Sequence, residues 1–243
     1  LNAASAVSIF TMPPTHAHAP RLSRRRLPGL ALLLCTGLLA GCANLPTPFA
    51  KAHPAPAGYT PRNFAGDVLL PAAIRRVLVL PVCGGQVASP ESTAALDPVV
   101  RDALQKQARF EVVMLSREDC RHRYGAPEFS SAGALPHGFM EDLGRAYAAD
   151  ALLFVDLTAF RDQRPLALGV RARLVTVAGP RVVWSFDEII SGADPAVGRS
   201  ALLHARAGNR SDLPLDTSYR VLQSPSEFAA YVADTVFGTL PPR

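Results

Sequence analysis

Apolar and polar positions along this chain follow two rhythms, and each change of rhythm marks a new element. Arg76-Val-Leu-Val-Leu-Pro-Val-Cys83 is β-rich and apolar on both faces, the pattern of a central strand, and Gly84-Gly85 ends it. Asp97-Pro98 then offers an N-cap followed by proline at the first helical position, with Val99, Val100, Ala103, Leu104 and Ala108 recurring at helical spacing. Phe110 to Leu115 reads as a second strand. A helix of this length between two strands makes a βαβ unit, so the strands are predicted to be parallel with a right-handed crossover.

Further on, Phe139, Leu143, Ala146 and Tyr147 share one helical face, and Ala151 to Phe160 is a long apolar strand. Leu168, Val170, Ala172 and Leu174 alternate with Gly169, Arg171 and Arg173, the period of a strand buried on one side and wet on the other. Ala178-Gly-Pro180 is a tight turn, and Arg181-Val-Val-Trp-Ser-Phe-Asp187 returns as a fifth strand, completing an antiparallel meander. Val197 to Ala207 is read as a short helix inside an otherwise loop-like stretch, 192–223. Ser224-Pro-Ser-Glu227 is a capping box that opens a last helix bearing Phe228, Tyr231, Val232, Val236 and Leu240, which Pro241-Pro242 stops. The order β-α-β-α-β-β-β-α predicts an α/β domain over 71–243, a mixed sheet of about five strands with helices packed on it.

Ahead of this domain the punctuation differs. Arg21, Arg24, Arg25 and Arg26 form a cationic cluster, followed by the apolar run from Leu27 to Gly41 and then Cys42, which is the plan of a signal peptide. The run of about 15 residues spans roughly 22 Å as a helix, short of the ~30 Å hydrocarbon core of a bilayer. Leu39-Ala40-Gly41-Cys42 resembles the lipobox of bacterial lipoproteins, in which the thiol receives diacylglycerol and the chain is cut just before it. Segment 1–41 is therefore expected to be removed, with Met12 as a candidate true start. Pro46, Pro48, Pro54, Pro56 and Pro61 mark 42–70 as an extended tether; some 20 residues at ~3.1 Å each reach about 60 Å. In that family an aspartate after the lipidated cysteine holds many proteins in the inner membrane; Ala43 lacks it, so the resemblance implies the outer membrane with the domain facing the periplasm.

Composition adjusts this picture in one respect. The net charge of +5 over 243 residues invites a nucleic-acid reading, but four of the 25 basic residues and no acidic ones precede Cys42, leaving 21 against 20 in the rest of the chain. The charge belongs to the export segment, and no nucleic-acid partner is expected.

Motifs that carry chemistry are sparse. Cys83-Gly84-Gly85 comes after a strand, where phosphate loops occur, but no G-x-G-x-x-G or G-K-[ST] accompanies it, so it reads as a strand-ending turn. Glu118, Asp119, Asp187, Glu188 and Asp194 show no spacing that picks out an acid/base pair. His122, His137 and His204 lie far apart, and Cys120 with His122 cannot close a zinc site, so no metal or cofactor is expected. Ser200, His204 and Asp212 assemble a triad on paper without a G-x-S-x-G elbow. Trp184, the only tryptophan, is a core residue or an interface anchor, and Arg171 and Arg173 are a solvated face or a contact for an acidic partner. With Cys35 removed and Cys42 lipidated, Cys83 and Cys120 are the remaining thiols in an oxidising compartment. Both come just after predicted neighbouring strands at one edge of the sheet, so a disulfide is expected, against the alternative of two separate thiols.

Val-Leu-Val-Leu-Pro-Val, Phe-Glu-Val-Val, Leu-Gly-Arg-Ala-Tyr-Ala-Ala-Asp-Ala-Leu-Leu-Phe-Val and Val-Arg-Ala-Arg-Leu-Val-Thr-Val-Ala-Gly-Pro-Arg-Val-Val-Trp, across about residues 75 to 190, together resemble the curli-secretion-lipoprotein and TolB-N-terminal-like group. That group includes lipoproteins that activate penicillin-binding proteins and lipoproteins that form rings in polysaccharide export. The resemblance implies a small α/β domain without catalytic residues, acting on an envelope protein partner or by self-association. The chain departs from it in two ways: it lacks amphipathic hairpins long enough for a transmembrane barrel, and 192–243 matches nothing in the group. The expected function is that of a lipid-anchored, non-enzymatic adaptor or assembly accessory; the alternative is a lipid-anchored hydrolase acting on wall or glycan.

Overall fold

In the computed structural model, residues 58–208 and 218–243 are described. Among them, strands β1 (Phe64–Gly66), β2 (Arg76–Val79), β3 (Glu111–Met114), β4 (Ala151–Arg161), β5 (Ala167–Thr176) and β6 (Val182–Ser191) form one sheet in the order β1-β6-β5-β4-β2-β3. The helices are α1 (Pro90–Gln107), α2 (Arg117–Tyr124), α3 (Phe139–Tyr147), α4 (Pro195–Gly208) and α5 (Pro225–Phe237), with a 3-10 turn at Ser218–Leu222.

The predicted βαβ unit is present, with β2 and β3 parallel, and β4 adds to the other side of β2, also parallel. The β4-β5-β6 meander is antiparallel throughout. Ala151 to Leu157 of β4 are buried on both faces, as the unbroken apolar run requires. One face of the sheet carries a core of Val77, Val79, Leu153, Leu174, Trp184 and Phe186 against α1 and α5; the other carries Leu78, Leu80, Leu152 and Phe154 against α2 and α3.

Three elements depart from expectation. First, α1 begins eight residues earlier than Pro98, because Ser89-Pro90 supplies the same cap-and-proline pair and the Ser89 side chain accepts the Ser92 N–H at 3.2 Å. Pro98 lies inside the helix, and Asp97, the expected cap, bonds Arg117 instead. Second, α2 is an unexpected helix, capped by Ser116, whose side chain accepts the Asp119 N–H at 2.9 Å, and closed at Gly125 with φ 79. Third, residues 58–70, expected as the end of the tether, belong to the domain. Tyr59 N–H donates to Ser200 Oγ at 2.6 Å, Arg62 N–H donates to Glu188 Oε2 at 2.9 Å, and β1 pairs antiparallel with β6. The segment covers a strand edge that would otherwise present unpaired backbone. The expected export segment, with Leu39, Ala40, Gly41 and Cys42, lies outside the described residues.

Candidate functional site

Connections from β2 determine where a ligand site is expected. β2 leads through α1 to β3 on one face, and β3 returns through α2 and α3 to β4 on the other, so the direction of winding reverses between β2 and β4. Ligands of open α/β sheets lodge at the carboxyl ends of the strands flanking such a reversal. Here that position holds Val82, Cys83 and Gly84, with Cys83 bridging to Asp156 of β4.

The chain's own side chains occupy it. Arg117, at the start of α2, donates from Nε to Asp97 Oδ2 at 2.7 Å, from Nη2 to Asp97 Oδ1 at 3.0 Å and to the Val82 carbonyl at 2.8 Å, and from Nη1 to Glu128 Oε2 at 2.5 Å. Asp97 also accepts the Val82 N–H, and Glu128 the Gly84 N–H, both at 2.9 Å. Burial alone would lower the Arg117 pKa, but the hydrogen bonds and charges of Asp97 and Glu128 outweigh it and hold the guanidinium protonated. Next to this cluster, Asp156 is 4% exposed and accepts the Ser131 N–H and hydroxyl; the Ser131 carbonyl accepts from Arg173 Nη1 at 3.0 Å. Two loops and two helices are thus fastened at the position a substrate would take.

The residues singled out in the sequence do not converge on one surface. Trp184, weighed as an interface anchor, is a core residue: it is 1% exposed, packs on Phe186 and Phe237, and donates from Nε1 to Thr239 Oγ1 at 3.2 Å. Its polar edge is therefore satisfied inside the protein. Arg171 and Arg173 lie on the opposite face of the sheet, Arg171 with its Nε 2.7 Å from Asp187 Oδ2. On that face Ser185 and Asp187 are half-buried and Ile189 is exposed.

Cys83 and Cys120, expected as a disulfide, are free thiols in the structure. Cys120 is the buried residue of α2 and packs in the core, and Cys83 is half-buried beside Glu128. Burial, and then the negative charges of Glu128 and Asp156, push the Cys83 thiol up to about 11.

Of the Ser200, His204 and Asp212 set, Asp212 lies outside the described residues, Ser200 Oγ accepts from the backbone of Tyr59, and His204 Nε2 is 2.8 Å from Asp234 Oδ2. The acidic residues are likewise apart. Asp119 bonds Ser116, Asp187 pairs with Arg171, Glu188 accepts the N–H groups of Arg62 and Asn63, and Asp194 accepts from Ala196. Among the described residues, no group of three or more His, Cys, Asp or Glu could hold a metal ion, and no helix is long and apolar enough to cross a membrane.

No family model matches the sequence, and no curated protein matches it. Several solved structures are distantly similar. The PelC dodecamer from Paraburkholderia phytofirmans is 15% identical with a TM-score of 0.46, the match covering 75% of this chain and 97% of that one. Lipoprotein GNA1162 from Neisseria meningitidis is 18% identical with a TM-score of 0.40, covering 56% and 99%. The LpoB C-terminal domain from Escherichia coli is 18% identical with a TM-score of 0.33, covering 50% and 86%.

Proposed function

We propose that this chain is a lipid-anchored cell-envelope protein of the outer membrane that acts by binding another envelope component, a protein partner or a second copy of itself, and not by catalysis. The observation that argues against a substrate pocket, and so for binding over catalysis, is the bonding of Arg117 to Asp97, Glu128 and the Val82 carbonyl. The ligand position of the fold is closed by groups that satisfy one another. Support for the anchor comes from Leu39-Ala40-Gly41-Cys42 behind a cationic cluster and a short apolar run, with diacylglycerol on Cys42 as the link to the membrane. We assign the partner to the β5–β6 face bearing Arg171, Asp187 and Ile189, with Arg173 at its margin.

Uptake of radiolabelled fatty acid and membrane fractionation test the anchor: the wild type is expected to be labelled and retained after a salt wash, and Cys42→Ala to be neither. An unlabelled wild type would sink it. Affinity capture from membranes tests the binding half, with Arg171→Glu expected to lose the component that the wild type retains. Cleavage of peptidoglycan or a glycan by the purified protein, abolished by one Asp, Glu, Ser or His substitution, would replace binding with hydrolysis.

A further inference from the structure

The end of the sheet opposite the first described residues carries an apolar tip. Val68 is 89% exposed and Leu69 58%, in the loop after β1, and Val182, 48% exposed, stands at the start of β6 beside them. Asp67 N–H donates to the Val183 carbonyl, and Arg181 holds both Asp67 oxygens at 2.9 Å, so the loop is fixed to the β5–β6 turn. It is fixed on its other side as well, because Leu70 N–H donates to the Pro242 carbonyl at 2.8 Å and Leu70 is buried. Two aliphatic side chains are thus held out into water by a braced backbone.

The charge at this end is positive. Arg75, Arg76, Arg109, Arg181 and Arg243 lie there with Asp67, Glu111 and Asp150, so guanidinium groups outnumber carboxylates. Arg76 and Arg181 pair with Glu111 and Asp67. Arg243 donates instead to the backbone carbonyls of Arg109 and Ile74. An exposed aliphatic tip flanked by Arg181, with Arg75 and Arg76 farther across the same end of the sheet beyond β6, β5 and β4, suits an anionic phospholipid surface, where the apolar side chains enter the headgroup boundary and the guanidinium groups meet phosphate.

We infer that the Val68–Leu69 tip is a second membrane contact, seating the domain on an anionic bilayer. The inference rests on the lipid-anchored reading. Chain length permits it: Tyr59 is pinned at the far end of β6 by Ser200, and the ten residues of β6 span about 33 Å. The 16 residues from Cys42 to Ala57 reach up to about 50 Å when extended, so the lipid and the tip can engage one bilayer.

The test uses the lipidated protein in vesicles of phosphatidylethanolamine and phosphatidylglycerol, with an environment-sensitive fluorophore on Val68→Cys or, for comparison, on Leu203→Cys, another exposed aliphatic position. The Val68 label is expected to be quenched by lipid-borne nitroxide and shielded several-fold from aqueous iodide, and the Leu203 label to be neither. Shielding should fall when phosphatidylcholine replaces both lipids, and when Arg75→Glu or Leu69→Asp is introduced. Equal iodide access at Val68 and Leu203 would overturn the proposal. Shielding in whole envelopes but not in protein-free vesicles would also overturn it, assigning the tip to a protein. A chain that takes up no fatty acid fails the anchor reading separately, and the same label mixed with vesicles from outside still reports on the tip.

Discussion

Arg117 and Asp97 meet through two hydrogen bonds, 2.7 and 3.0 Å, and so join α2 to α1 across the carboxyl end of β2. Both side chains are mostly shielded, and Glu128 and the Val82 carbonyl each take a further guanidinium donor. Removing the arginine leaves two carboxylates together in a poorly solvated site, so Arg117→Met should cost about 3 kcal/mol. Urea unfolding monitored by far-UV circular dichroism checks it. A midpoint unchanged from wild type would mean that the cluster does not fasten the helices.

Asp234 of α5 makes a second link to α1, within one face of the sheet, accepting from Lys106 Nζ at 2.9 Å and bonding His204 of α4 at 2.8 Å. Burial raises its pKa, but the bonds from His204 and Lys106 outweigh that and hold the carboxyl below its ordinary value. A folded-state pKa below the unfolded one adds stability above the unfolded value and loses it as pH falls through the folded one. Asp234→Asn should therefore be less stable than wild type at neutral pH, by about 1 kcal/mol, and the gap should close below pH ~4. A gap of constant size down to acid would show that the charge contributes nothing.

Gly144 in α3 faces Val177, and a Cβ built there would lie 2.4 Å from Val177 Cγ1. Gly144→Ala gains helix propensity but forces the helix off Val177, just past the end of β5, so a net loss of about 1–3 kcal/mol is expected. Val177→Ala should restore most of it, and a double-mutant cycle on thermal melts measures the coupling. Additive losses would place the strain elsewhere.

Periodicity revealed those elements that packing makes periodic. The parallel β2–β3 pair, the β4-β5-β6 meander and the apolar face of α5 were legible because each buries a regular set of side chains. Helix α2 was not, since Arg117-Glu-Asp-Cys-Arg-His-Arg-Tyr124 buries only Cys120 and has no apolar stripe. Its signals were local: Ser116 as a cap, acids in the first turn, bases in the last and Gly125 beyond. β1 is three exposed residues whose existence depends on β6, so nothing in Phe64-Ala65-Gly66 itself marks it. The Arg117 cluster was hidden for another reason. Its partners are 20 and 11 positions away, and ion pairs between distant residues leave no spacing to read. Trp184 could be read either way from sequence; Thr239 and Phe237, 50 or more positions downstream, make it a core residue.

The two thiols offer the last test, because their surroundings oppose the chemistry that an oxidising compartment favours. A disulfide forms through a thiolate, and burial raises the pKa of both Cys83 and Cys120. At Cys83 the charges of Glu128 and Asp156 add to the effect; at Cys120 Arg117 opposes it. Alkylation of the native protein without reductant, mapped by mass spectrometry, should leave both positions largely unmodified at neutral pH, and alkylation after denaturation should modify both. The native block should weaken at Cys83 as pH rises toward about 11. Arg117→Met is expected to speed modification at Cys120 by loosening α2, even though it removes a positive charge that favours the thiolate. If neither cysteine is modified in denaturant until a reductant is added, and reduction lowers the melting temperature, then the exported protein closes the pair and the free-thiol arrangement is that of its reduced form.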